Sequence, residues 1–403
     1  MSAKPPVPNS AHARLLAEGY EAEVRQGHLL VHSVPYVAAA AAVSRGTLIC
    51  TYVESGGVIL APDNHQVWFA GDFPCFADGR RMTPIEHSSA RRELAPGIVV
   101  DHHFSNKPEG ATGFPNHYDK IIHYLTLLQD QARVLAPGIT SQTWRSIAPA
   151  EEHSVFKYAD TASVRSETVM VSRRLALKKV GIVGMGGSGG YVFDQVAKTP
   201  VEEIHTFDGD EFLQHNAFRA PGAASIEQIA RRMPKVEYFR EMYAPMRHGI
   251  VTHPYNIDAS NVAELAGFHF VFICVDHGPT RRLIADYLIS QGIAFVDTGM
   301  SVERDYDTQQ LDGLCRVTFC TSAQHGHFHK HAPTDEESAE ALYRQNIQVA
   351  DLNALNAIMA VILWKQHFGF YVDDFNIQHA TFSVRHMSIA RRAASEQTES
   401  AEV

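Results

Sequence analysis

The chain is poor in cysteine, in basic charge and in long apolar runs, and each shortage removes a class of function. Five cysteines are spread over 403 residues (Cys50, Cys75, Cys274, Cys315 and Cys320), with no C-x-x-C pair among them. A zinc site built on paired thiolates is therefore not expected, nor a secreted disulfide scaffold, and the cytoplasm is the expected compartment. Lysine and arginine number 35 against 45 aspartates and glutamates, a formal net charge of −10. A nucleic-acid-binding face needs clustered basic residues, so nucleic acid is not an expected partner. No apolar run approaches the roughly 20 residues that span a bilayer, and Met1-Ser2-Ala3-Lys4-Pro5-Pro6 lacks an apolar signal segment, so no membrane partner is expected. What remains is an ordinary globular composition, 45% hydrophobic and 20% charged, at a length that suits two domains.

The two halves read differently. Residues 1–150 open with a proline-rich stretch expected to be disordered. Ser10 is placed to cap a short helix, Ala11–Glu18. Short β-like runs follow at Leu29–Val34, Thr47–Val53, Val58–Leu60 and Val67–Ala70, punctuated by glycine, proline and asparagine. A helix is predicted from Asn116 to Leu135, with Ile121, Ile122, Leu125, Leu128 and Ala132 on one face. This is an α+β domain whose His102, His103, Tyr118 and Lys120 offer at most a binding surface. Residues 151–177 read as a linker, and 178–390 as an α/β domain with alternating strands and helices. It includes strands Val251–Tyr255 and Phe270–Val275, an antiparallel strand Leu311–Phe319 at the far side of the sheet, and an apolar helix Gln348–Phe368. Ala393–Val403 is small, polar and acidic, and a disordered tail is expected over 391–403.

Within the α/β half, Val180-Gly181-Ile182-Val183 runs into Gly184-Met185-Gly186-Gly187-Ser188-Gly189, a helical stretch follows, and a second apolar run ends at Asp208-Gly209-Asp210. That is the order of strand, phosphate loop, helix, strand and ribose-gripping acid in a nucleotide-binding βαβ unit. Gly184, Gly186, Gly187 and Gly189 let the backbone turn tightly and bring its N–H groups to phosphate oxygens at a helix N-terminus. Asp208 lies 24 positions beyond Gly184, near the usual place of the acid. A nicotinamide-dependent oxidoreductase would use the loop and Asp208 but leave Asn216, Arg219, Lys235 and Asp276 idle. An ATP-using enzyme employs them all: Arg219 and Lys235 suit phosphate oxygens, and Asp276, after the apolar run Phe270–Val275, suits Mg²⁺.

These residues resemble the ThiF/MoeB/ubiquitin-activating-enzyme superfamily. Its pattern is carried here by the four glycines, Asp208-Gly209-Asp210, Asn216-Ala217-Phe218-Arg219, Lys235, and Asp276 followed five positions later by Arg281. The resemblance covers about 178–370 and implies a Rossmann-like, doubly wound, mostly parallel sheet. It also implies MgATP as cofactor and adenylation of the C-terminal carboxylate of a ubiquitin-like or sulfur-carrier protein, with pyrophosphate released. In that family Asp208 would lie on the ribose, Asn216, Arg219 and Lys235 on the phosphates, with Asp210 beside them, and Asp276 on magnesium. The N-terminal half looks like the domain fused to such enzymes in bacterial ubiquitin-like conjugation operons, which implies a conjugating-enzyme partner. Relatives act as homodimers or pseudo-symmetric pairs and reach the γ-phosphate with an upstream arginine, for which Arg165 is the candidate. Those that form a thioester use a cysteine at the crossover segment, where Cys320 stands, beside the alternating His325, His327, His329 and His331. An inactive scaffold subunit would have lost phosphate ligands that this chain keeps.

Overall fold

A computed structural model describes residues 10–145, 147, 154–334 and 347–393, so the expectations for 1–8 and 394–403 lie outside the described residues. The chain divides into two compact units, Met1–Ser154 with Ala159–Met170, and Val155–Tyr158 with Val171–Val403.

The first unit opens with the helix Ala11–Ala17, whose Ala13 N–H donates to Ser10 Oγ at 3.1 Å. Its main sheet contains β1 (Ala22–Arg25), β2 (His28–Ala38), β3 (Ala42–Thr51), β6 (Gln66–Ala70), β7 (Glu86–Ala95) and β8 (Ile98–Ser105). The order is β1-β2-β3-β6-β8-β7, antiparallel throughout, while β4 (Glu54–Ser55) and β5 (Val58–Ile59) form a separate small hairpin. The helix His117–Leu135 starts where Asn116 Oδ1 accepts from Asp119 N at 2.8 Å, and buries Ile121, Tyr124, Leu125, Leu128 and Ala132. That spacing is one helical stripe laid on one sheet face, against Leu29, Val31, Leu48, Phe69 and Phe104. Lys120 and Tyr118 do not form the binding surface that the sequence offered. Both lie in this helix, and Lys120 is fully buried with its Nζ donating to Asn64 Oδ1 at 3.2 Å, so it adds nothing to a surface.

The second unit is an eight-stranded mixed sheet built from β9 (Lys179–Val183), β10 (Glu203–Phe207), β11 (Ile250–His253), β12 (Phe270–Ile273), β13 (Phe295–Arg304), β14 (Leu311–Cys320), β15 (Ile377–Ser383) and β16 (Ser388–Ala393), in the order β11-β10-β9-β12-β13-β14-β15-β16. The five strands from β11 to β13 pair in parallel and the remaining pairings are antiparallel. Successive residues of β12 serve opposite cores. Phe270 and Phe272 pack under the helices Gly187–Ala197, Lys235–Tyr243 and Ala350–His367, whereas Val271 and Ile273 pack under Gly278–Ser290. Burial on both faces is why the strand reads as an unbroken apolar run. The fold is α/β and doubly wound, as the sequence implies. The chain order reverses at β9, with β10 on one side and β12 on the other, and open α/β sheets bind ligands at the carboxyl ends of such a switch point.

Two strand expectations change. Leu311–Cys320 is not a free edge, because β13 and β15 flank it; the edge is β16. Arg391, Arg392 and Ala393, expected in the tail, pair with β15 as the end of β16.

Candidate functional site

The switch point is lined by the glycine loop. Gly184 follows β9 with φ of 91°, a left-handed backbone that side chains resist, and a Cβ there would meet the Cys274 carbonyl oxygen at 2.7 Å. Only glycine allows the segments leaving β9 and β12 to approach so closely. A Cβ on Gly189 would run into the Gly184 carbonyl, so the first helical turn folds back onto the loop itself. Gly186 caps the Gly187–Ala197 helix without a side-chain acceptor for the first-turn N–H groups. Nothing stands within 4 Å of a Cβ built on Gly186. This is a cradle of backbone donors with the positive end of a helix dipole behind it, which suits phosphate.

Asp208, the residue after β10, is buried. One carboxylate oxygen, Oδ2, accepts from Met185 N at 2.6 Å, and Oδ1 accepts from Asp210 N at 2.9 Å. The acid therefore braces the glycine loop as well as facing the crevice. Lys235 opens its helix, is buried, and places Nζ 2.7 Å from Asp210 Oδ2 and 3.4 Å from Asp208 Oδ1. Lys235 N also donates to the Asp210 carbonyl at 2.9 Å, so the lysine and the acid pair are brought together by backbone as well as charge. Asn216 is buried with its Oδ1 accepting from Leu213 N at 2.8 Å, holding the turn that carries Arg219. Arg219 is half-buried; burial pushes its pKa down, and the charges of Asp276 and Asp210 oppose that shift. Its Nε is buried with no hydrogen-bond partner among the described residues. A guanidinium N–H in such a place suits an anionic acceptor.

Asp276 is exposed and stands three residues beyond β12, in a loop rather than at the end of a longer strand. Arg281 takes no position in the crevice. It is buried and donates to Asp297 Oδ1 at 2.8 Å, to the Val275 carbonyl at 2.6 Å and to the Pro333 carbonyl at 2.8 Å. The guanidinium thus fixes the backbone immediately before Asp276. Arg316 Nη2 approaches the other Asp297 oxygen at 2.6 Å, completing a buried arginine–aspartate–arginine group that the sequence reading missed. Among the described residues no three His, Cys, Asp or Glu side chains converge as a metal cage. Magnesium bound by one carboxylate and by phosphate oxygens requires no such cage, so Asp276 fits that ion.

Cys320 does not sit on a mobile crossover segment. It is the last residue of β14, paired to Phe295 and fully buried among Ile293, Phe295 and Phe328. Burial, with Asp297 adding, pushes its thiol far above the usual range, and the nearby His327 ring is engaged at 2.9 Å with the Phe319 carbonyl. In this conformation it is a core residue, not an activated nucleophile. The four alternating histidines diverge as well. His327 is buried, His329 meets Asp286 at 3.0 Å, His331 stacks on His379, and His325 turns to the Thr321 carbonyl. The segment is a turn followed by the short helix Phe328–His331, so alternation along the chain does not become alternation in space. Arg165 ends the Thr161–Arg165 helix, capped by Asp160, within the first unit.

The chain belongs to the ThiF family, whose model matches residues 162–399, and residues 11–161 match a domain of unknown function, DUF6791. Among solved structures it is similar to E. coli MccB with ATP, at 15% identity over 58% of this chain and 72% of that one, with a TM-score of 0.46. A second likeness is the microcin C7 biosynthetic enzyme MccB in complex with N-formylated MccA, at 15% identity over 56% and 67% of the two chains and a TM-score of 0.45. PaaA is similar at 12% identity over 83% of this chain and 97% of that one, with a TM-score of 0.45. No curated protein matches significantly.

Proposed function

We propose that this chain is an ATP-dependent adenylyltransferase that activates the C-terminal carboxylate of a ubiquitin-like or sulfur-carrier protein. Membership of the ThiF family supports adenylation. The observation that carries the assignment to this crevice is the half-buried Arg219, whose Nε lacks a partner among the described residues, in the electrostatic field of Asp210 and Asp276.

The chemistry asks mainly for positioning and charge. The incoming carboxylate is already anionic at neutral pH and attacks the α-phosphorus in line. A carboxylate–phosphorus bond forms while the bond from α-phosphorus to the bridging oxygen breaks, and pyrophosphate leaves with the electron pair. Asp208 accepts from the ribose hydroxyls. First-turn N–H groups of the Gly187–Ala197 helix, the amide of Asn216, Arg219 and Lys235 hold the phosphates, Lys235 leaving its rest position on Asp210 to do so. Magnesium, when held by Asp276, supplies counter-charge to the leaving pyrophosphate. The first unit recognises the modifier or a conjugating enzyme. The assembly is a homodimer, and Ile358 and Ile362, exposed one turn apart on the Ala350–His367 helix, offer apolar surface for it. Light scattering should give twice the 44.6 kDa chain mass, and an active monomer contradicts the dimer.

Exchange of labelled pyrophosphate into ATP tests the activity, with a ubiquitin-like protein ending in two glycines as substrate. Label should enter ATP only when that protein is present with its carboxylate free. No exchange with any such protein, or exchange that ignores the carboxylate, would sink the proposal.

A further inference from the structure

The helix Ala350–His367 packs along the sheet through Leu352, Ala357, Ala360, Val361 and Trp364, yet its buried face also carries Asn353 and Asn356, each 1% exposed. Amides in such a place are retained against their desolvation cost only where they hold something. What they hold is the glycine helix. Ser188 Oγ donates to Asn353 Oδ1 at 3.0 Å, and Asn356 Nδ2 points to Ser188 Oγ at 3.5 Å. Asn353 Nδ2 donates in turn to the Val349 carbonyl at 3.1 Å, which fixes the amide so that its oxygen must face Ser188. The Asn353 side chain fills the space that a Cβ on Gly187 would need. Gly187 is thus glycine because a helix lies against its back. Asn356 Oδ1 is buried with no partner among the described residues.

Gly187 and Ser188 form the first turn of the helix whose free N–H groups line the crevice. The serine hydroxyl faces away from those donors, into the seam with the long helix. It is spent on anchoring and is not offered to a phosphate or a metal ion. We propose that Asn353 and Asn356 are positioning residues for the nucleotide phosphates, acting through Ser188 to hold the glycine turn at the height and tilt that its N–H groups require. The proposal rests on the nucleotide reading given above and adds to it a coupling between the long helix and the phosphate loop.

The test is a double-mutant cycle on the full chain with Ser188→Ala and Asn353→Ala, each titrated calorimetrically with MgATP and with adenosine. Thermal melts confirm folding, and Ser188→Ala deletes only one hydroxyl. Each single variant should weaken MgATP by about tenfold while changing adenosine less than about twofold, and the double variant should be no worse than the singles. Equal losses for MgATP and adenosine, unchanged MgATP affinity, or fully additive effects overturn the positioning role and leave the nucleotide reading standing. A wild-type chain that binds no MgATP overturns both.

Discussion

Replacing Asp276 with alanine is expected to cut pyrophosphate exchange by roughly a hundredfold to a thousandfold, the scale of losing one preorganised electrostatic contact to a transition state. The fold should be indifferent to the change. Asp276 is exposed and is followed by His277, whose own ring caps the next helix by accepting from Thr280 N at 3.3 Å. Substitutions at such surface positions shift stability by no more than about 0.5 kcal/mol. The backbone before it stays anchored by Arg281 through the Val275 carbonyl. Exchange measured beside a thermal melt checks both halves of the expectation. Wild-type exchange in the variant would place the metal elsewhere.

Asp208→Ala should do two things at once, because the buried carboxylate braces the loop and is proposed to grip the ribose. Loss of charged hydrogen bonds to the ribose should weaken MgATP by about 1.5–3 kcal/mol, roughly tenfold to a hundredfold or more. Loss of the acceptor for Met185 N and Asp210 N leaves loop donors unpaired, and Lys235 keeps only Asp210, so the melting temperature should fall as well. The contrast with Asp276→Ala is the diagnostic: one variant loses activity at constant stability, the other loses affinity and stability together. Calorimetry and a melt on the same sample read both. An Asp208→Ala chain that bound MgATP normally would show that this acid only braces the loop.

What could be read along the chain was what is local. Glycines at Gly184, Gly186, Gly187 and Gly189 between apolar runs announce a strand–loop–helix unit because backbone freedom and side-chain period are properties of neighbouring residues. Asp208 is legible because a strand end follows from the apolar run before it, whereas Asp276 falls three residues beyond the strand that its apolar run forms. The misreadings concern what only tertiary pairing decides. Cys320 looked available because a polar stretch follows it, but β13 lies beside it and Phe328 folds over it. Leu311–Cys320 looked like an edge because nothing in it predicts that a strand nearly sixty residues later will pair with it. Lys120 looked like a surface cation because lysines usually are. The signal overlooked was Asn353 and Asn356, two amides three residues apart in an apolar helix, a spacing that puts both on one face.

The central claim is that the crevice between β9 and β12 is an ATP site. Calorimetric titration of the full chain with MgATP and, separately, with NAD⁺ addresses it directly. The proposed function predicts saturable binding of one MgATP per chain, with affinity that falls as salt rises if Arg219 and Lys235 meet the phosphates as proposed. NAD⁺ should bind weakly or not at all. Tight NAD⁺ binding with no heat from MgATP would contradict the account.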